Sequence, residues 1–226
     1  MDLNVLCNRL GVDLEPQLLE LALTHRSYSY ENGNLPNNER LEFLGDSVLG
    51  FVVTAHIHDL LTELPEGELT KVKNAVVSAR ALAGVAEKLG LGEFLLLGKG
   101  EDQTGGRSKL NILADSFEAV LGAIYVSKGL DEAKSFIARF VFPLLEDTDA
   151  LRANSDPKTT LQEKVQQLGK AAPAYATSFE GPDHDRTFTA TVSVDFKVIG
   201  AGSGKSRKSA ETEAAIDALL NFKLDK

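Results

Sequence analysis

Three acidic side chains recur at helical spacing in the segment 38–50, which reads NERLEFLGDSVLG. On an α-helix, Glu39, Glu42 and Asp46 fall within an arc of about 60°. The apolar residues of this stretch fall on the opposite face, which we expect to enter a core. They are Leu41, Leu44, Val48, Phe51 and Val52. Like charges at this spacing destabilise a helix by roughly a few tenths of a kcal/mol per pair, so either a bound cation or an accident of surface composition accounts for them.

A second acidic pair lies in the apolar segment 112–122, which reads ILADSFEAVLG. Asp115 and Glu118 are one helical turn apart, and the small residues Ala119 and Gly122 flank them on the same side. Small residues there would let two helices approach closely and bring four carboxylates together. Oxygen ligands without cysteine or histidine favour Mg²⁺, or Mn²⁺, over zinc. The alternative interpretation is a solvated acidic face on each helix.

The composition limits the class of protein. The 226 residues are enough for two small domains, and 43% hydrophobic with 25% charged residues is an ordinary globular composition. The net charge of −9 by itself argues against a nucleic-acid partner, but the acidic excess lies before residue 152. With no run of 18 apolar residues, no secretory pattern and one cysteine, we expect a cytoplasmic protein without a membrane partner.

Residues 1–147 carry helical patterns throughout, and these elements must position the acidic residues. A long amphipathic helix is predicted from Asn38 to about Leu61, and further helix from Glu66 to about Leu89. The glycines of 98–107 indicate a loop. Asn111 is expected to cap the helix that carries the second acidic pair.

The pattern changes after a polar stretch, 148–155, which we interpret as an interdomain linker. Residues 156–226 follow the order α-β-β-β-α. Asp156 and Pro157 begin the first helix, and strands are predicted near 174–179, 187–194 and 196–201. A stretch rich in glycine and basic residues precedes the last helix. We therefore expect a multi-domain chain, an all-α domain followed by an α+β domain.

The segment 38–47, NERLEFLGDS, resembles the signature of the ribonuclease III family. Four further segments resemble that family's flanking segments in the same order: ALTHRSY (22–28), EGELTKVK (66–73), LGKGE (97–101) and ILADSFEAVLGAIY (112–125). The second half, from residue 156 onward, resembles a double-stranded-RNA-binding domain. The resemblance implies an endonuclease domain, residues 1–147, followed by the linker and the RNA-binding domain.

This resemblance also implies roles for the acidic residues. Four of them would bind the metal and carry catalysis, Asp46 and Glu118 above all. The four are Glu42, Asp46, Asp115 and Glu118. Glu39 and Glu66 match two further family acids with supporting roles in substrate handling. The implied reaction is Mg²⁺-dependent cleavage of double-stranded RNA, with Mn²⁺ as a substitute ion, in ribosomal and messenger RNA processing. It leaves 5′-phosphate and 3′-hydroxyl ends with short 3′ overhangs.

Phe43 falls at about 40° on the signature helix, beside the acids and away from the core-facing arc. A large aromatic side chain has no reason to lie in water beside a metal site. In the family, a phenylalanine at this place packs into a hollow on a partner subunit, which implies a homodimer through the nuclease domain. Burial under a loop of its own chain is the alternative.

Three features of the second half are expected to contact RNA. The first helix carries a polar stripe suited to the minor groove of A-form RNA. The stripe consists of Thr159, Gln162, Glu163 and Gln166. His184 lies in a loop where the family makes a second minor-groove contact. Lys205, Arg207 and Lys208 lie at a helix N-terminus, where positive side chains and free N–H groups converge on phosphate.

Two other functions remain open from the sequence. The chain could be a binding protein that kept the fold and lost cleavage, although all six family acids are present. It could also be a carboxylate-metal hydrolase of a small phosphate compound, but the second half then has no purpose. Cleavage with and without Mg²⁺, and competition by duplex RNA, distinguish these possibilities.

Overall fold

The computed structural model describes residues 2–147, 156–182 and 186–221. The chain divides into two compact units, Met1–Leu151 and Arg152–Lys226. Within the described residues, the regular structure of the first unit is helical apart from one isolated bridge, and that of the second combines two helices with a three-stranded antiparallel sheet. The predicted fold class is therefore confirmed. The predicted linker, 148–155, lies outside the described residues, so the domain bounds remain a prediction.

The described part of the first unit contains nine α-helices and three short 3₁₀ turns. The helices are α1 (Leu3–Leu10), α2 (Pro16–Leu23), α3 (Arg26–Glu31), α4 (Glu39–Leu60), α5 (Glu66–Val76), α6 (Ala79–Leu89), α7 (Lys99–Gln103), α8 (Leu110–Lys128) and α9 (Leu130–Phe140). The 3₁₀ turns are Leu91–Phe94, Gly106–Ser108 and Phe142–Asp147. The helix α8 is long and apolar enough to cross a membrane by length and composition alone, but 61% of it is buried inside the structure. It is therefore a core helix of this unit.

Glycine lets α4 and α8 approach until their main chains touch. A Cβ atom on Gly45 would overlap the carbonyl oxygen of Glu118, and one on Gly122 would overlap that of Leu41. Ala119 is completely buried. The predicted close approach is confirmed at Gly122, and Gly45 supplies the matching small residue on the other helix.

The predicted core-facing side of α4 is confirmed except at one residue on its edge. Leu41, Val48 and Val52 are buried, and Leu44 packs against the core. Phe51 was predicted to enter the core, but its side chain is 60% exposed. It lies at the edge of this arc, next to the partly buried Leu44 on the helical wheel and about 100° from Val52, where a small difference in helix rotation decides between core and solvent.

Three local predictions for the first unit were wrong. The predicted helix from Glu66 to Leu89 is two helices, because the Ser78 side chain accepts a hydrogen bond from the Ala81 N–H and caps a new helix. The predicted loop 98–107 contains α7 and a 3₁₀ turn. Asn111 lies inside the first turn of α8, whose N-cap is Lys109.

The second unit consists of α10 (Pro157–Gln167), the antiparallel strands β1 (Ala174–Glu180), β2 (Thr187–Val194) and β3 (Lys197–Gly204), and α11 (Arg207–Asn221). The Asp156 side chain caps α10, as predicted, by accepting from the Thr159 N–H. Its small core joins α10, α11 and the sheet. The strand predicted from Phe196 begins one residue later, because Asp195 and Phe196 have positive φ and form the turn.

Candidate metal centre and nucleic-acid interface

Three carboxylates from α4 and α8 meet at one point. Glu42, Asp115 and Glu118 each place one oxygen so that the three atoms lie within 4.8 Å of one another. Oxygens that share one octahedral Mg²⁺ at about 2.1 Å lie about 3 Å apart when adjacent and about 4.2 Å apart when opposite, so the three side chains would have to draw closer together to hold the ion. Three half-buried carboxylates, with no sulfur or nitrogen ligand in the group, fit a hard divalent cation.

The electrostatics of this cluster also fit a cation. Burial, followed by the charges of Asp46, Asp115 and Glu42, raises the pKa of Glu118 to about 8. Burial is likewise the main cause that raises the pKa of Glu42 and of Asp115. Partly buried like charges destabilise one another in this way, and a divalent ion between them would remove that repulsion.

Asp46 lies beside the three clustered carboxylates and is more exposed than they are. Its charge is the largest single charge effect on the pKa of Glu118, after burial. It therefore adds negative charge at the solvent side of the cluster. The four predicted metal ligands thus occupy one region, with three in ligand contact distance and Asp46 next to them.

The two predicted supporting acids lie in different places. Glu39 is exposed at the start of α4, accepts a 3.1 Å hydrogen bond from Asn37 Nδ2 and lines the cleft in front of the carboxylates. Glu66 begins α5 and accepts a 2.9 Å hydrogen bond from Thr70 Oγ1. As far as the described residues define that cleft, Glu66 lies outside its lining.

The cleft has a volume of about 660 Å³ and includes residues that the sequence interpretation missed as functional candidates. They are Arg26, Asn38, Glu101 and Lys109. His25 lies there too and caps α3, its Nδ1 accepting from the Ser27 N–H at 3.3 Å. Arg26 and Asn38 stand within or next to segments that carry the family resemblance, but no helical spacing connects them with the acids.

Hydrogen bonds between distant segments fix the wall of the cleft. Ser27 Oγ accepts from the Gly98 N–H at 2.9 Å, and Glu31 Oε2 accepts from the Lys99 N–H at 2.9 Å. These bonds hold the start of α7 against α3. In turn, α7 presents Glu101, whose carboxylate accepts from Lys109 Nζ. The cleft wall is therefore formed by tertiary contacts between segments that are distant in sequence.

The metal-free protein should lose stability as the pH rises. A carboxyl whose pKa is raised to about 8 in the folded state stabilises the fold below its unfolded pKa and loses that contribution between about pH 4.5 and 8. Discounted for the partial exposure of Glu118, the loss is on the order of 1–2 kcal/mol, or about 3–8 °C in Tm. Thermal melts in chelator at pH 5.5 and 8.5 measure it.

Two controls identify the cause of this pH dependence. Glu118→Gln should reduce it, because the amide is neutral at both pH values, whereas Glu63→Gln on an exposed loop should not. Added Mg²⁺ should restore stability at the higher pH. Equal pH dependence in the parent and Glu118→Gln would show that the carboxyl is not the source.

Phe43 is 76% exposed on α4, so the alternative of burial under its own chain does not hold within the described residues. A separate hollow of about 580 Å³ lies on the same unit, lined by apolar and polar side chains from α2, α3, α4 and α8 and from the loop after α3. Tyr30, Leu35 and Val126 in its lining are exposed. An exposed aromatic residue and a partly apolar hollow on one unit are features that a self-complementary interface would use.

The polar stripe lies on the solvent side of α10. Pro157, Leu161 and Val165 form the buried side of this helix. The predicted stripe residues are exposed, or half-buried in the case of Glu163: Thr159, Gln162, Glu163 and Gln166. The predicted contact His184 lies outside the described residues.

The basic cluster stands at the start of α11. Lys205, Arg207 and Lys208 are exposed, and Arg207 Nε donates to Glu211 Oε1 at 3.0 Å. Glu211 also accepts from Lys158 Nζ at 2.6 Å, and this bond is the main cause that lowers the pKa of Glu211. Part of the positive charge is thus internally compensated, which leaves a modest basic surface.

Comparisons with known proteins agree for both units. Residues 15–145 match a family model described as Ribonuclease-III-like, and residues 157–222 match the double-stranded RNA binding motif. Proteins named Ribonuclease 3 are similar along most of their length. That of Leifsonia xyli is 54% identical, with 96% of this chain and 92% of that protein covered. The one from Mycobacterium tuberculosis is 50% identical, with 94% and 90% covered.

A solved structure extends the comparison to three dimensions. The nuclease domain of ribonuclease III from Campylobacter jejuni is 36% identical, with a TM-score of 0.59 over 63% of this chain and 97% of that domain. That domain is described as structurally flexible in a region involved in dimer formation. The likeness covers the unit that contains the carboxylate cluster.

Proposed function

Given that this chain belongs to the ribonuclease III family, we propose that it cuts double-stranded RNA with Mg²⁺ held between α4 and α8. The observation that supports this most directly is the convergence of Glu42, Asp115 and Glu118, with Asp46 beside them. Mn²⁺, which takes the same oxygen ligands, would substitute. We propose further that the substrates are duplex regions of ribosomal and messenger RNA in the cytoplasm.

Different residues of the carboxylate centre would have different roles. A bound divalent ion would supply an activated water and offset charge on the phosphate. Glu42, Asp115 and Glu118 would hold it, and their position depends on main-chain contact at Gly45 and Gly122, which limits movement between the two helices. Asp46, at the solvent side, would be the acid nearest the incoming strand.

The active form in this proposal is a homodimer through the nuclease domain. Phe43 of each subunit would enter the hollow of the other, a symmetric arrangement in which every contact occurs twice. The dimer described for the Campylobacter jejuni domain supports this arrangement. Two carboxylate centres related by a two-fold axis would then face the two strands of one duplex.

The cleavage products test both the chemistry and the symmetry. With Mg²⁺, a long RNA duplex should yield 5′-phosphate and 3′-hydroxyl ends, because a water rather than the 2′-hydroxyl attacks the phosphate. Two symmetric centres across the minor groove should leave short 3′ overhangs, since phosphates facing each other there are offset in the 3′ direction. Mapping both ends of a defined duplex measures both properties.

Other outcomes would favour the competing functions. Binding without cleavage at any Mg²⁺ or Mn²⁺ concentration would indicate a binding protein that lost catalysis. Hydrolysis of a small phosphate ester that duplex RNA does not inhibit would indicate a different substrate. A 2′,3′-cyclic phosphate, blunt ends or 5′ overhangs would contradict the mechanism or the symmetry.

The second unit is proposed to bind the duplex by shape and charge, through the α10 stripe, His184 and the basic cluster. Reversing Lys205, Arg207 and Lys208 together should weaken binding of unrelated duplexes alike and flatten its salt dependence by up to about three units of slope. Lys197→Glu, an exposed charge at the other end of the domain, is the matched control. Sequence-dependent losses, or equal losses in the control, would contradict this role.

A further inference from the structure

Several side chains with hydrogen-bond donors line the cleft beside the carboxylate centre, among them Arg26, Asn38 and Lys109. We propose that these three form a phosphate-binding subsite, which holds the cleaved strand at a phosphate next to the scissile one. This inference rests on the proposed function and extends it. It assigns substrate contacts to side chains on α3, on the residue before α4 and at the start of α8.

The side chain of Asn38 does not cap the helix that it precedes. Asn38 is the N-cap of α4, a position where asparagine usually caps with its side chain, but it makes no such bond to any described residue. Instead, Asn37 Oδ1 accepts from the Glu39 N–H at 3.2 Å. The Asn38 main chain is fixed on both sides, by Thr24 O and by the N–H of Glu42, each at 2.9 Å.

The Asn38 amide is also unsatisfied. The residue is 2% exposed, and its Nδ2 has no hydrogen-bond partner among the described residues. Buried polar groups in folded proteins are nearly always paired, so an orphaned donor at the edge of a cleft indicates that a ligand supplies the acceptor. A donor requires an electron-rich oxygen, and a phosphate has several.

Arg26 contributes a positive charge that is only loosely paired with a carboxylate. Its guanidinium is 3.9 Å from the Glu39 carboxylate, a loose pair, and its side chain is 62% exposed. Burial raises the pKa of Glu42 and Asp115, and the Arg26 charge acts against that rise, so the group lies within electrostatic range of the centre. Its planar fork of N–H donors matches phosphate oxygens.

Lys109 and the helix it begins complete the subsite. Lys109 Nζ donates to Glu101 and Thr104, which uses two of the three donors of an ammonium group. Residues 110–112, the first turn of the 19-residue helix α8, line the same cleft. The first N–H groups of a helix lack intrahelical partners, and the helix dipole there favours an anion.

The test combines protein variants with single neutral linkages in the RNA. In a set of RNA duplexes, each carries one methylphosphonate at a different position beside the scissile linkage. The cleavage rate of each duplex would be measured with the full-length parent and with the variants Arg26→Gln, Lys109→Gln and Asn38→Asp. With unmodified RNA, each variant should lose about 10- to 100-fold in kcat/KM, the size of a charge-assisted hydrogen bond. Weaker binding of Mg²⁺ should not be the cause: Arg26→Gln and Asn38→Asp leave the centre more negative, so the Mg²⁺ concentration for half-maximal rate should not rise.

The methylphosphonate that slows the parent by a similar factor should slow Arg26→Gln much less, since the contact is already missing. Lys88→Gln, an exposed cation in the last turn of α6, should behave like the parent throughout. If Asn38→Asp does not fold, as judged by thermal melting, the two exposed cations still decide the question. Arg26→Lys should recover part of the loss.

Two kinds of failure are distinguishable. A parent that cuts duplex RNA, with Arg26→Gln and Lys109→Gln indistinguishable from Lys88→Gln, overturns the subsite alone. The same holds if the variants retain the full methylphosphonate penalty. A parent that binds duplex RNA and cuts none overturns the proposed function, and the subsite with it.

Discussion

Replacing Glu118 by glutamine should abolish cleavage and leave binding of duplex RNA nearly unchanged. Glu118 is one of three carboxylates with oxygens within 4.8 Å of one another, and its replacement removes a negative charge and one of the two proposed ligands on α8. Loss of several kcal/mol of charge stabilisation corresponds to a fall on the order of 10³-fold in rate. Gel-shift titration in Ca²⁺ should show near-parental affinity, because the proposed duplex-binding residues of the second unit are unchanged.

Asp46→Asn provides an independent variant of this experiment. It changes the acid beside the cluster without touching the three close oxygens, and we expect cleavage to be lost here too. Glu63→Gln, on the exposed loop after α4, serves as the control for charge change alone. If Glu118→Gln or Asp46→Asn retained more than a few per cent of the parental rate, the centre would lie elsewhere.

Phe43→Asp should convert the protein from a dimer to a monomer. The side chain is 76% exposed, and a symmetric interface would bury it twice. Aromatic anchors at interfaces contribute about 2–4 kcal/mol each, so losing two should raise the dissociation constant by more than about 10³-fold. Sedimentation velocity over a range of concentrations measures the change.

Phe51→Asp is a closely matched control. It removes the same side chain from the same helix, also from an exposed position, but Phe51 lines a different groove with residues of α4 and α9. We expect this variant to remain dimeric. A monomeric parent, or a Phe43→Asp protein that stays dimeric, would refute the assignment of the interface.

The acidic cluster could be predicted because helical periodicity is a local property. Glu42 is three residues after Glu39, and Asp115 is three before Glu118, so each pair must share a helix face wherever the helices lie. That Asp46 lies beside the three close oxygens rather than among them could not be predicted. It depends on how α4 crosses α8, and that crossing is set by main-chain contact at Gly45 and Gly122.

The residues of the cleft wall could not be predicted from helical periodicity. Arg26, Asn38, Glu101 and Lys109 belong to separate segments, brought together by bonds such as Gly98 N–H to Ser27 Oγ. No spacing along the chain encodes those contacts. The same limit explains why 98–107 was taken for a loop: its glycines suggested irregular backbone, whereas the Glu31 carboxylate, distant in sequence, stabilises the start of a short helix.

The contact between α4 and α8 bears on how this sequence can change over evolutionary time. Backbone atoms of α4 and α8 touch at Gly45 and Gly122. The distance between the acidic residues of α4 and those of α8 is therefore set by contact between the two main chains and depends little on the side chains packed around them. Apolar residues elsewhere in the core can therefore be exchanged for others of similar volume, at a cost usually below about 1.5 kcal/mol, while the ligand spacing persists. The two glycines have no such freedom, since even a methyl group would overlap the opposite backbone. Divergent relatives should thus vary in the core and agree at these two positions.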